Sequence, residues 1–118
     1  MKDIKRKYLK MLELEFNDLK EDIESLIEAE ESKKENGVIS NYVFMENLST
    51  LRNEILSINE FIDEIDALDT EKYNTINQVL DDIKQIFIKR FRENGFTKKS
   101  NDLLLRKIEK VNVYFKEE

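Results

Sequence analysis

Glu35-Asn36-Gly37-Val38-Ile39-Ser40-Asn41-Tyr42-Val43-Phe44 holds a helix stop and a helix start in ten residues, and its reading decides the fold. Asn-Gly marks a helix end because only glycine takes the left-handed conformation there without steric cost. Ser40 then reads as an N-cap. That choice puts Ile39 at N′ and Phe44 at N4, the two positions that close a hydrophobic staple. The stop recurs at Asn94-Gly95; these are the only two glycines, and there is no proline. Between the stops, apolar residues recur three and four apart, the period of an amphipathic helix.

Working outward from that junction, the pattern predicts four helices near 3–35, 41–68, 70–94 and 100–116. The first carries the seam Leu9, Leu12, Phe16, Leu19, Ile23 and Leu26, and the second the seam Phe44, Leu48, Leu51, Ile55, Ile58, Ile62 and Ile65. These are coiled-coil-like repeats. Asp69 reads as the cap of the third helix, with Leu68 and Tyr73 as its staple and Tyr73, Ile76, Leu80, Ile83, Phe87 and Phe91 facing inward. At its exit Gly95 sets Phe96 against Phe91 in a Schellman turn. The fourth buries Leu104, Ile108, Val111 and Phe115. Short connections force antiparallel neighbours, so the expected fold is all-α: an up-down-up-down four-helix bundle in a single domain, 1–118, with a long first helix and a shorter fourth. The residues expected to be nearly fully buried are Leu12, Phe16, Leu19, Ile23, Leu51, Ile55, Ile58, Ile62, Ile76, Leu80, Ile83, Phe87 and Ile108.

Charge order bears on the same topology. Residues 1–10 carry five positive and one negative charge, residues 11–83 five positive and twenty negative, and residues 84–110 nine positive and three negative. Antiparallel folding sets Lys5, Arg6 and Lys7 beside Asp63, Glu64, Asp66, Asp69 and Glu71. It sets Arg90, Arg92, Lys98 and Lys99 beside Glu28, Glu30, Glu31 and Glu35. Each exposed pair is weak, but the arrangement disfavours the parallel alternative, where like charges would meet.

Composition excludes more than it assigns. With 39% charged and 40% apolar residues in 118, the chain is neither a disordered tail nor a membrane span. Its N-terminal residues run straight into helical periodicity, so a cytoplasmic location is expected. There is no cysteine and no histidine. Thiol nucleophiles, disulfides, Cys-ligated metal and the usual general base are therefore absent, and no enzyme activity, cofactor or metal is expected. Carboxylate pairs such as Glu21/Glu24, Glu28/Glu31 and Glu60/Asp63 resemble in spacing the Glu-x-x-Glu motif of all-α nucleotide pyrophosphohydrolases. A Mg²⁺ site needs two such pairs facing one cavity, whereas Glu21 and Glu60 lie on the far side of their seams, so a solvated acidic face is the better reading.

Three surfaces remain. Val38, Tyr42, Val43 and Met45 gather around the first connection as an apolar docking surface for a protein partner. Arg90, Arg92, Lys98 and Lys99 form a basic corner, the alternative site for an anion or nucleic acid, although the usual nucleic-acid footprint is a basic domain and this chain is acidic overall. An acidic inhibitor that mimics a polyanion is a third reading. Ile4, Tyr8, Met11 and Leu14 form a strip that a homodimer would cover, unless Tyr114 and Phe115 cover it within the monomer.

Overall fold

The computed structural model describes the backbone of residues 2–94 and 98–116 and the side chains of 4–90, 102 and 104–115. Its elements are α1 (Lys2–Glu35), α2 (Asn41–Asp66), a single 3-10 turn (Thr70–Lys72), α3 (Ile76–Asn94) and α4 (Lys98–Lys116). Among the described residues there is no strand. The chain is all-helical.

The first connection is built as its sequence reads. Gly37 takes φ +74°. The Val38 amide donates to the Lys33 carbonyl at 2.8 Å and the Gly37 amide to the Lys34 carbonyl at 3.1 Å, the two bonds of a Schellman turn. Ser40 Oγ accepts from the Val43 amide at 3.1 Å, which caps α2. Phe44 is buried, with the Lys34 ammonium 4.4 Å from its ring centroid. The corresponding reading at Gly95 and Phe96 lies outside the described residues.

The second connection departs from its reading. Asp69 caps only the 3-10 turn, its carboxylate accepting from the Glu71 amide at 3.0 Å. The third helix starts at Ile76, not at residue 70. Thr75 Oγ1 accepts from the Gln78 amide at 3.3 Å, while Gln78 Oε1 accepts from the Asn74 amide at 2.7 Å. This reciprocal pair, close to a capping box, satisfies two orphan amides where Asp69 offers one. Tyr73 is therefore not a staple residue. Its hydroxyl donates to Asp82, and its carbonyl accepts from the Lys5 ammonium.

Contacts of α1 with α2 and of α1 with α4 run in opposite numerical sense. From α1 to α2, Phe16 meets Phe61, Lys20 donates to Asn59, and Asn47 donates to Glu30. From α1 to α4, Tyr8 meets Asn112 and Phe115, and Glu15 meets Lys107 and Lys110. Phe87 of α3 stacks edge-on against Phe61, and Lys84 lies 4.0 Å from Glu109 of α4. The molecule measures 55 × 24 × 20 Å. A 34-residue α1 is about 51 Å long and the 19-residue α3 and α4 about 28 Å each, so the last two helices can flank only part of the first two.

Burial follows the expected core with few exceptions. Ten of the thirteen expected core residues are buried: Leu12, Phe16, Leu19, Ile23, Ile58, Ile62, Leu80, Ile83, Phe87 and Ile108. Leu104, Val111 and Phe115 of α4 join them. Leu51 and Ile55 are only half-buried, packed against the edge of the core, and Leu26 is exposed. Ile76 is half-buried because it opens α3 instead of sitting within it.

The proposed dimer strip does not survive intact. Tyr8 has no exposed surface, its ring packed edge-on against Phe115 at 5.4 Å and its hydroxyl donating to Asn112 at 2.6 Å. Ile4 and Met11 are half-buried against the core, and only Leu14 is freely exposed. Phe115 supplies the internal cover, while Tyr114 stays exposed.

Candidate functional site

The α1–α2 connection is capped on both sides and apolar on its outside. Its chain reversal is fixed by the Schellman turn and the Ser40 cap, so the side chains that follow are held in place by helix geometry. Val38 is 69% exposed, Tyr42 72%, Met45 52% and Val43 38%. None of the four is covered by another of the described residues. Phe44, between them, points the other way and is consumed by the fold.

Helix geometry groups these residues further. At about 100° per residue, Tyr42, Met45 and Leu56 fall on one stripe of α2. Leu56, 59% exposed, reads in the sequence as an isolated surface residue. The signal that joins it to Met45 is their separation of eleven residues, almost three whole turns. This stripe lies about a quarter turn from the line of Phe44, Leu48 and Ile55 that faces α1, and on the side opposite Phe61, which meets α3.

The basic corner is arranged otherwise. Arg90 does not reach Glu28, Glu30, Glu31 or Glu35. Its Nη1 donates to Glu60 at 2.8 Å and its Nε to Glu64 at 2.9 Å, both on α2. The register of α3 on α2 decides this: Phe87 lies against Phe61, so Arg90, three residues on, stands beside the C-terminal part of α2 and not beside the end of α1. The hydrogen bond it donates to Glu64 heads the causes that raise the Arg90 guanidinium above its ordinary pKa. The side chains of Arg92, Lys98 and Lys99 lie outside the described residues.

The acidic motifs are divided by the same contacts. Glu60 is engaged by Arg90 and cannot serve with Asp63 as a free carboxylate pair. Among the described residues no three carboxylates come together as a metal site. Glu15, by contrast, bridges two lysines of α4 at 2.8 and 2.9 Å, and those hydrogen bonds, first from Lys107 and then from Lys110, hold its carboxyl below the usual range.

At the opposite end of the molecule, a surface cleft of about 410 Å³ lies between α1 and the second connection. Arg6, Lys10 and Glu13 line it on one side, Asp66, Asp69 and Glu71 on the other. Arg6 thus stands where the charge order sets it. Lys5 goes further than expected: it is buried, donating to the backbone carbonyls of Thr70 and Tyr73. No helix among the described residues is long and apolar enough to cross a membrane.

Comparison of the chain with protein-family models, with curated proteins and with solved structures returns no match.

Proposed function

We propose that the chain is a non-enzymatic up-down-up-down helical bundle that binds a partner protein through the apolar surface beside its first connection. The observation that carries this reading is the exposure of Val38, Tyr42, Val43 and Met45 on a backbone held by two capping motifs. Apolar side chains presented on a rigid support bind with little loss of conformational freedom, which is how small helical proteins hold their targets. Composition supports the non-enzymatic part, since the chain has neither histidine nor cysteine. Arg90, the described member of the basic corner, already has two carboxylate partners, which weighs against an anion site there.

The test is capture of a partner from the native host by the parent chain and by two double variants. Tyr42→Ala with Met45→Ala should abolish capture and leave the thermal melt unchanged. Lys98→Glu with Lys99→Glu should leave capture intact. The reverse outcome, with affinity falling steeply between low and moderate salt, would shift the site to the basic corner and the ligand to nucleic acid.

A further inference from the structure

We infer that the partner presents a basic amphipathic helix, and that this helix lies along the face of the α1–α2 hairpin turned away from α3 and α4. The inference rests on the reading above and adds the partner's chemistry. Residues 21–35 carry seven carboxylates and two lysines. Four of those carboxylates, Glu24, Glu28, Glu31 and Glu35, are exposed and recur four, three and four apart, so they form one ridge along α1. None of the four has an ion-pair or hydrogen-bond partner among the described residues.

The ridge and the apolar stripe share a face. On α1 the ridge lies about a quarter turn from Phe16 and Ile23, on the side opposite Tyr8 and Glu15, which meet α4. On α2 the stripe of Tyr42, Met45 and Leu56 lies on the side opposite Phe61, which meets α3. The two helices are paired side by side, as Lys20 with Asn59 and Glu30 with Asn47 show. Their outer edges therefore flank one shallow face, acidic along α1 and apolar along α2 except for the exposed Arg52 between Met45 and Leu56. Glu24 to Glu35 and Met45 to Leu56 each span eleven residues, about 16 Å, or three turns of a bound helix. Apolar residues of that helix would cover Met45 and Leu56 while its lysines or arginines answer the ridge, the apolar part giving affinity and the charge giving orientation and encounter rate. A second copy fits this face poorly, because two such ridges would oppose each other.

The probe is a labelled three-turn peptide of leucine and lysine, its leucines three and four apart, titrated against the full chain by anisotropy at low salt. Three controls accompany it: the same composition scrambled, a leucine–glutamate version, and sedimentation of the chain alone. Glu28→Gln with Glu31→Gln should weaken binding about tenfold, a loss that shrinks as salt screens the ridge. Asp18→Asn with Asp81→Asn removes the same charge elsewhere and should leave it unchanged. Equal loss from both pairs, or equal binding of the scrambled or the glutamate peptide, overturns the inference. So does self-association of the chain that Met45→Ala removes. Should Tyr42→Ala with Met45→Ala lose the native partner while the carboxylate variant keeps both partner and peptide, the apolar reading stands and the basic helix falls. Should the carboxylate variant lose the partner while the apolar variant keeps it, the apolar reading falls instead.

Discussion

Gly37 carries φ +74°, and a Cβ built there meets nothing within 4 Å. Substitution by alanine is therefore opposed by backbone strain alone. Gly37→Ala should lower stability by about 1–2 kcal/mol, seen as a shifted urea midpoint with an unchanged slope. A buried pair offers a sharper case. Tyr8→Phe leaves the Asn112 amide oxygen without its donor in a buried site, at a cost of about 1–3 kcal/mol. Replacing both partners by Phe and Leu should recover part of that loss, and a double variant no better than Tyr8→Phe would mean that Asn112 is satisfied some other way. Glu15 supplies a pH dependence. Its folded pKa is depressed below the ordinary 4.5, so its contribution is present above the unfolded value and is lost as pH falls through the folded one. The stability gap between the parent and Glu15→Gln should be flat near neutrality and close below about pH 4.5, which acid titration followed by circular dichroism can read. A gap that persists at low pH would assign the effect to packing.

Of the two connections, the first was legible in the sequence and the second was not, and the difference is physical. Asn36-Gly37 and Ser40 have no competitor: one residue type fits the left-handed position and one hydroxyl stands before the apolar run. Around the second connection two caps compete. Asp69 has the better side chain, but Thr75 with Gln78 forms a reciprocal pair, and the Lys5 ammonium takes the backbone carbonyls of Thr70 and Tyr73 that a continuous helix would have used. That contact joins residues far apart in the chain, which local periodicity cannot see. Thr75→Ala should therefore destabilise α3 by about 1 kcal/mol, and Asp69→Ala should cost less because it frees only a 3-10 turn. Equal losses in chemical denaturation would restore Asp69 as the functional cap. Tyr73 reports on the same segment. Burial, with the Asp82 carboxylate beside it, pushes its pKa up to about 12 from 10.0. A raised phenol contributes stability below the unfolded value and loses it as pH climbs through the folded one, so the connection should loosen between pH 10 and 12.

Helix number and most of the core follow from periodicity because they are properties of one helix at a time, whereas the exposure of Leu26 and the half-burial of Leu51 and Ile55 depend on how the helices pack against one another. The same dependence moved Arg90 from the expected acidic end of α1 to Glu60 and Glu64. It also hid the proposed docking face, since Leu56 and the carboxylates of α1 share a side only once α2 is laid against α1. Two regions of unequal packing result. Around Tyr8, Phe16, Ile62, Ile83 and Ile108, side chains from all four helices are buried together, while from Leu26 through Ile55 only Phe44 and Leu48 are buried. Ile83→Ala should accordingly cost about 2–5 kcal/mol and Ile55→Ala distinctly less, against a total of about 5–15 kcal/mol. Native-state hydrogen exchange extends the argument to the whole chain. Local opening should be cheapest where burial is least, so amides of residues 26–35 and 41–55 should exchange through openings of lower free energy than those around Ile62, Ile83 and Ile108. Addition of the basic amphipathic peptide should raise protection on those distal residues and leave the four-helix end unchanged, because a ligand stabilises only the segment whose open state it does not bind. Uniform protection in the free chain would mean that the distal hairpin opens only with the whole molecule, and a peptide effect centred on residues 76–94 would move the binding face to α3.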